Sequence, residues 1–363
     1  MSAGLSGPDG AQSESGARYQ RRGAAGFIIL ERPKALNALT LPMVRVIAEA
    51  LDVFEQDARV ERVVVVSAGG RAFCAGGDIR RIYEQGKAGD HAAQLAFWRE
   101  EYQLNRRIKR YSKPYVSLID GIVMGGGVGL CVHGSHRVAS ENCVFAMPEV
   151  GIGFFPDVGA TYALPRLAHR VGVYLAATGL RAETGDVVAL GLAQGFVPSA
   201  SFGALSEALE APGSLEDILE RFAGSPPPAN FIGEASRIEG WFARLDRAAI
   251  LAALGAAAAE SPLAAAALEA MRTKSPTSQA ITLRQMELGV GMSFEDAMRL
   301  EFRVVSRICR GHDFYEGVRA TIIDKDQSPR WSPGADEPID PAAIEAYFAS
   351  LGADELTFPE PVR

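Results

Sequence analysis

Four cysteines in 363 residues, Cys74, Cys131, Cys143 and Cys309, form no CxxC pair and no Cys/His set at zinc spacing. A disulfide framework is therefore excluded and a metal site is not expected; buried free thiols are the default. The five histidines are not spaced as ligands either, so His312 is read as a hydrogen-bonding residue. No apolar run approaches a membrane span. The start has neither a signal-peptide core nor an acid-free, Arg-rich transit pattern, and a cytoplasmic protein without membrane partners is the expectation. GxSxG is missing, which argues against a serine hydrolase of the α/β type. GxGxxG and GxxxxGK are missing too, which removes dinucleotide and P-loop readings. No cluster of Lys and Arg has aromatics interleaved with it, and at a net charge of −7 nothing points to nucleic acid.

What is present is 48% hydrophobic, enough for a substantial core. Residues 1–22, rich in Gly, Ser and Ala without periodicity, read as a disordered leader. From residue 23 to about 200, strand-like and helical segments alternate, which argues for an α/β fold. Thr40 and Pro42 open a helix running to about Gln56, and Asp90 caps a long one through about Arg110. Residues 63–66 are a β-branched run suited to a strand buried on both faces. Beyond residue 200 the composition turns Ala-rich and charged, and residues 201–363 read as a mostly helical C-terminal part. Asp324, Lys325 and Asp326 there read as structural ion pairs.

The chemistry concentrates between residues 121 and 159. Gly125, Gly126 and Gly127 end an apolar run and open a helical pattern. The first amides of such a helix lack intrahelical partners and sit at its positive end, where they can hold a negative oxygen. A second glycine loop at residues 69–78 follows the buried β-branched run. By itself it is a tight turn; together with the first it can complete an oxyanion hole. Glu149 and Asp157 lie among apolar neighbours, where a carboxylate gains a raised pKa and becomes a candidate base, acid or nucleophile. Each has a plainer reading, Glu149 as a helix-flanking surface acid and Asp157 as the cap of a helix through Thr161. Glu101, on a helix face with Arg99, Glu100, Arg106 and Arg107, has the plain reading of solvated charge.

FCAGGDI at residues 73–79, GIVMGGGVGL at 121–130 and FAMPEVGIG at 145–153 resemble the signature segments of the crotonase (enoyl-CoA hydratase/isomerase) superfamily. REEY at 99–102, FPDVG at 155–159, MRTKSPTSQAITLRQ at 271–285 and GHDFYEGVRATIIDKDQSPRW at 311–331 narrow the resemblance to its thioester hydrolases, across nearly everything after the leader. The resemblance implies a crotonase-type spiral of repeated ββα units. It also implies cleavage of a short hydroxyacyl-CoA thioester of the kind valine breakdown produces, with CoA as part of the substrate and no separate cofactor. By position it assigns the oxyanion amides to Gly77 and Gly126, and the acyl site to Glu101, Gly126, Glu149 and Asp157. Lys34, in RPKALN at 32–37, is assigned to a CoA phosphate. Gly129 stands where hydratases of the superfamily carry their second glutamate, and Asp157 where they carry glycine. That exchange favours hydrolysis over hydration. Relatives form trimers or pairs of trimers, and a homo-oligomer is an open expectation because the C-terminal part could cover the surface they use.

Overall fold

The computed structural model describes residues 15–358. Ten strands among them form two sheets. The larger contains β1 (Ala17–Arg22), β2 (Ala25–Leu30), β3 (Arg62–Ser67), β5 (Tyr115–Ile119), β7 (His136–Ala139) and β10 (Gly195–Phe196), in the order β1-β2-β3-β5-β7-β10. The smaller contains β4 (Ala72–Cys74), β6 (Ile122–Met124), β8 (Val144–Ala146) and β9 (Ala182–Glu183), in the order β4-β6-β8-β9. Pairing is parallel except for β1 with β2 and β8 with β9. Successive pairs β3/β4, β5/β6 and β7/β8 each place one strand in either sheet. The first two are followed by the helices α2 (Ile79–Lys87) and α4 (Gly126–Cys131), so the expected ββα repeat is present.

The central strands are apolar on both faces because both faces are covered. Along β2 and β3 successive side chains alternate between two cores, as the two-residue strand period requires. Phe27, Ile29 and Val64 face a smaller cluster with Leu205, Leu209, Leu215 and Ile218 from the helices Phe202–Leu209 and Leu215–Phe222. Ile28, Leu30, Val63 and Val65 face the larger cluster, which also contains Met43, Ile47, Leu51 and Phe54 of α1 (Leu41–Gln56). Thr40 accepts the Met43 N–H at the start of α1, and Asp90 accepts the Ala93 N–H at the start of α3 (His91–Lys109). Both caps are those expected from sequence. The larger core continues without a break through Phe302, Phe314 and Phe348, and no strand lies beyond Phe196 among the described residues.

One expectation is corrected. Residues 17–22 of the supposed leader are β1, paired with β2 from Ala17 opposite Leu30 to Arg22 opposite Ala25. Tyr19 packs edge-on against Phe54 at 5.6 Å, Arg22 lies over Phe27 at 4.9 Å, and Arg18 pairs with Glu31. An edge strand has one partner and one half-buried face, so its pattern is too weak to stand out from a Gly/Ser-rich surround. Residues 1–14 of that leader lie outside the described residues.

Candidate active site

Three neighbouring parallel strands, β4, β6 and β8, aim their carboxyl ends at one place, and the loops leaving them carry Gly77, Gly126 and Glu149. Ligand sites of open α/β sheets form at such strand ends. The topology brings together what is separated by tens of residues in the chain.

The first two loops are built alike. In each, a glycine at positive φ, Gly76 at 112° and Gly125 at 48°, turns the chain so that the next residue presents its N–H. A side chain at either position would be strained. The turns touch: a methyl carbon on Gly125 would lie 3.4 Å from Gly76 Cα, and one on Gly126 3.5 Å from the Gly76 carbonyl carbon. Leu39 N–H donates to Gly76 O and Asp78 N–H to Leu39 O. That bridge uses the groups on either side of the Gly77 N–H and leaves it with no acceptor among the described residues. Gly126 is the first residue of α4, and its N–H has no acceptor either.

The acids surround these donors. Glu149 opens a 3-10 turn, Glu149–Ile152, directly after β8. It is 7% exposed, and its Oε2 has no hydrogen-bond partner. Its Oε1 lies 3.0 Å from where a methyl carbon on Gly125 would stand. Glu101 of α3 is 2% exposed with Oε1 unpartnered, and that oxygen would lie 2.5 Å from a methyl carbon on Gly126. The reading of Glu101 as solvated charge is thereby corrected. Its neighbour Glu100 is the surface residue, paired with Arg45 at 2.6 Å. One step around the helix separates the outer face from the site.

Asp157 is buried and accepts the Tyr102 hydroxyl proton on Oδ2 at 2.8 Å. The plain reading of its side chain as a helix cap fails, because the helix α5 (Ala160–Ala163) has Gly159 at its N-cap and no side-chain cap bond from it. The Gly159 and Thr161 amides donate instead to the two oxygens of Glu301, at 2.8 and 2.9 Å. Glu301 belongs to the helix Phe294–Ile308 and is fully buried. Nothing in its local sequence separates it from the other acids of that helix, and only its place on the buried face could have drawn notice.

Four carboxyls, Glu101, Glu149, Asp157 and Glu301, thus share a dry region, and none makes a salt bridge to Lys or Arg among the described residues. Burial pushes Glu149 well above the carboxylate range, and the Asp157 charge adds to it. Burial, then Asp157 and Glu301, do the same to Glu101. Burial raises Asp157 to about 7, with the Tyr102 hydrogen bond pulling it down. Burial and then Asp157 raise Glu301 to about 8, against the two amide donors. Tyr102 is held well above the phenol range by burial first and Asp157 second, so it stays a donor.

Gly129 carries its own evidence. A methyl carbon there would stand 2.6 Å from Asn105 Nδ2 and 2.8 Å from Val158 Cβ. Van der Waals contact needs well over 3 Å, so this position cannot admit a carboxylate side chain. Lys34 is not brought to the acids: it is exposed on the 3-10 turn Pro33–Ala35 with no ion pair among the described residues. That turn does adjoin the first glycine loop, since Ala75 N–H donates to Leu36 O at 3.0 Å. His312 bonds Asp313, and Asp324 and Asp326 both pair with Arg319, while Lys325 has no partner among the described residues. A cavity of about 490 Å³ along α2, bordered by Tyr83, Lys87, Arg310 and Tyr315, contains none of the four acids. Among the described residues no group of His, Cys, Asp or Glu is arranged to hold a metal ion, and no helix is long and apolar enough to cross a membrane.

A family model described as enoyl-CoA hydratase/isomerase matches residues 25–348. The 3-hydroxyisobutyryl-CoA hydrolase of Xenopus tropicalis is 45% identical over 93% of this chain and 89% of its own length. The human protein of the same name is 43% identical over 93% and 90%. Among solved structures, a carnitinyl-CoA dehydratase from Mycobacterium thermoresistibile superposes with a TM-score of 0.90 at 39% identity, covering 95% of this chain and 99% of that one. An enoyl-CoA hydratase from Rhodobacter sphaeroides gives 0.89 at 43% identity, covering 95% and 100%. The architecture is therefore the crotonase type. Both hydrolases are named as mitochondrial, which overturns the expectation of a cytoplasmic protein.

Proposed function

The chain belongs to the enoyl-CoA hydratase/isomerase family, and from that premise we propose that it is an acyl-CoA thioester hydrolase, cleaving 3-hydroxyisobutyryl-CoA to 3-hydroxyisobutyrate and free CoA. The observation that carries this reading is the pairing of two acceptor-free amides, Gly77 and Gly126, with the buried, unpartnered carboxylate of Glu149 at the same strand ends. Backbone donors fixed in advance stabilise the charge that develops on a carbonyl oxygen under attack, at no cost of reorganisation.

In the proposed reaction the thioester oxygen lies between the two amides. Glu149 acts on the carbonyl carbon in one of two ways. Its oxygen adds to that carbon and the C–S bond breaks, giving CoA thiolate and a mixed anhydride that water then opens. Alternatively it takes a proton from a water whose oxygen adds instead, and the thiolate leaves with that proton. Either route balances with water alone. Asp157, held by Tyr102, orients water or the substrate hydroxyl, and Glu101 borders the acyl group beside Gly126. Turnover in heavy-oxygen water separates the routes, because label found in Glu149 requires the anhydride.

The solved neighbours named for hydration and dehydration suggest a second reading. Adding water across a double bond needs a base and an acid at adjacent carbons, and the closed position at Gly129 speaks against that arrangement. Thiol release from 3-hydroxyisobutyryl-CoA is expected alongside no hydration of crotonyl-CoA, and the opposite pattern would sink the proposal. Glu149→Gln should lower turnover by several orders of magnitude with thioester binding little changed. Acyl-CoA is the one partner this chemistry requires; association of copies into a homo-oligomer is a separate property that sedimentation reads.

A further inference from the structure

We propose that Glu301 is a positioning residue for the thioester cleavage described above: by accepting the Gly159 and Thr161 amides it holds the turn that aims Asp157. The inference rests on that reading of the site.

The turn does not hold itself. Val158 has φ 53° and Gly159 φ 89°, and a β-branched residue in the left-handed region is unfavourable unless its surroundings impose it. Those surroundings are four buried side chains remote in sequence. Gln285 donates to Pro156 O at 2.6 Å and to Thr161 Oγ1 at 2.7 Å. His133 donates from Nε2 to Val158 O at 2.7 Å, burial holding its ring neutral with a pKa lowered to about 3. Tyr102 holds the Asp157 carboxylate itself. Glu301 takes the two amides that a short helix with glycine at its N-cap leaves unpaired. A serine or asparagine at residue 159 would cap that helix locally and without a buried charge, but a side chain there would collide with His133. The cap must come from elsewhere, and it comes as a carboxylate beside Asp157.

The charge gives the device a pH dependence. An ionised Glu301 accepts one amide on each oxygen; once protonated, one oxygen turns its own hydrogen toward a donor, and half of the hold is lost. Ionising groups around Asp157 are Glu301 from its helix, Glu101 and Tyr102 from α3, and Glu149 from the turn after β8, with no Lys or Arg bonded to any of the acids among the described residues. Burial raises Asp157 to about 7 and Glu301 to about 8, so each must lose its proton before the turn is set in the ionised form.

Two variants of the full chain test this, with thiol release from 3-hydroxyisobutyryl-CoA as the assay. Glu301→Asp keeps the charge but is one methylene too short to reach both amides. Its kcat should fall roughly 10- to 100-fold, as misplacement of a reacting group by about 1 Å does, with KM within about twofold and the pH profile unmoved. Glu301→Gln removes the ionisation, and the slope of log kcat against pH on the acid limb should drop by one proton. A Glu301→Asp enzyme with wild-type kcat overturns the proposal, and does so even if Glu301→Gln does not fold. A folded Glu301→Gln enzyme with the wild-type slope overturns it as well. If the wild-type chain releases no thiol, the functional reading has failed instead, which keeps the two failures apart.

Discussion

The glycine turns and the Asp157 turn lie at one site and are held in opposite ways. Gly77 and Gly126 are placed by the backbone: adjacent parallel strands set their spacing, and a positive-φ glycine in front of each supplies the bend. Asp157 is placed by side chains, from Tyr102, His133, Gln285 and Glu301. Short of proline, no substitution removes a backbone donor, so that half of the site is sensitive mainly to a side chain that fills its space. The other half depends on single atoms contributed from up to 142 residues away, two of them from the C-terminal helices Pro276–Gly289 and Phe294–Ile308. Those helices would be part of the proposed active site although no reacting group lies on them.

After Glu149→Gln, the largest expected effect tests the backbone half. Gly126→Ala keeps the amide but places a methyl carbon 2.5 Å from Glu101 Oε1, so the donor or that carboxyl must shift, and kcat should fall by about 10²-fold, as misplacement of a reacting group by about 1 Å does. A near-normal kcat would show that the acyl group does not lie against this backbone. Gln285→Leu probes the side-chain half without touching a charge. It strands Pro156 O and Thr161 Oγ1, and should cost about 1–3 kcal/mol of stability by denaturant titration, with a kcat loss of about tenfold at most.

Asp157→Asn sharpens the comparison through stability. Asp157 is raised from 3.8 to about 7 in the folded chain. It therefore favours folding fully below pH 3.8, and that contribution is lost as the pH rises through about 7. Removing the ionisation should stabilise the protein by roughly 2–3 kcal/mol more at pH 8 than at pH 5. Equal effects at the two pH values would show that Asp157 is not desolvated as described. The smallest effect is expected at Lys34, exposed on its turn. Lys34→Ala should raise KM for the CoA thioester a few-fold at low salt and leave kcat alone, and a KM that does not move removes the lysine from the CoA site.

Legibility in the sequence follows the same division. The caps at Thr40 and Asp90, the buried strand around Val64 and the helix opening at Gly126 are local patterns, complete within a few residues, and each could be read directly. Glu101 was legible only through the resemblance: local pattern alone reads it as solvated charge, because Glu100 and Glu101 are the same residue type one step apart and only packing decides which faces inward. The strand Ala17–Arg22 was missed because its regularity comes from pairing with Ala25–Leu30. Asp157 was legible as a candidate acid, but its local pattern pointed to a capping role that belongs to Glu301, a residue with no signal of its own.

By itself the sequence determined the alternation of strands and helices, the two glycine turns and the presence of acids among apolar neighbours, because these depend on backbone freedom and periodicity over short stretches. It also carried the resemblance that led to thioester chemistry. Only the tertiary structure decided which acids are dry, which amides are free and what closes the space at Gly129. Burial and hydrogen-bond partnership are properties of contacts between distant segments, and the raised proton affinities of Glu149 and Asp157 exist only once those contacts have removed water from around them.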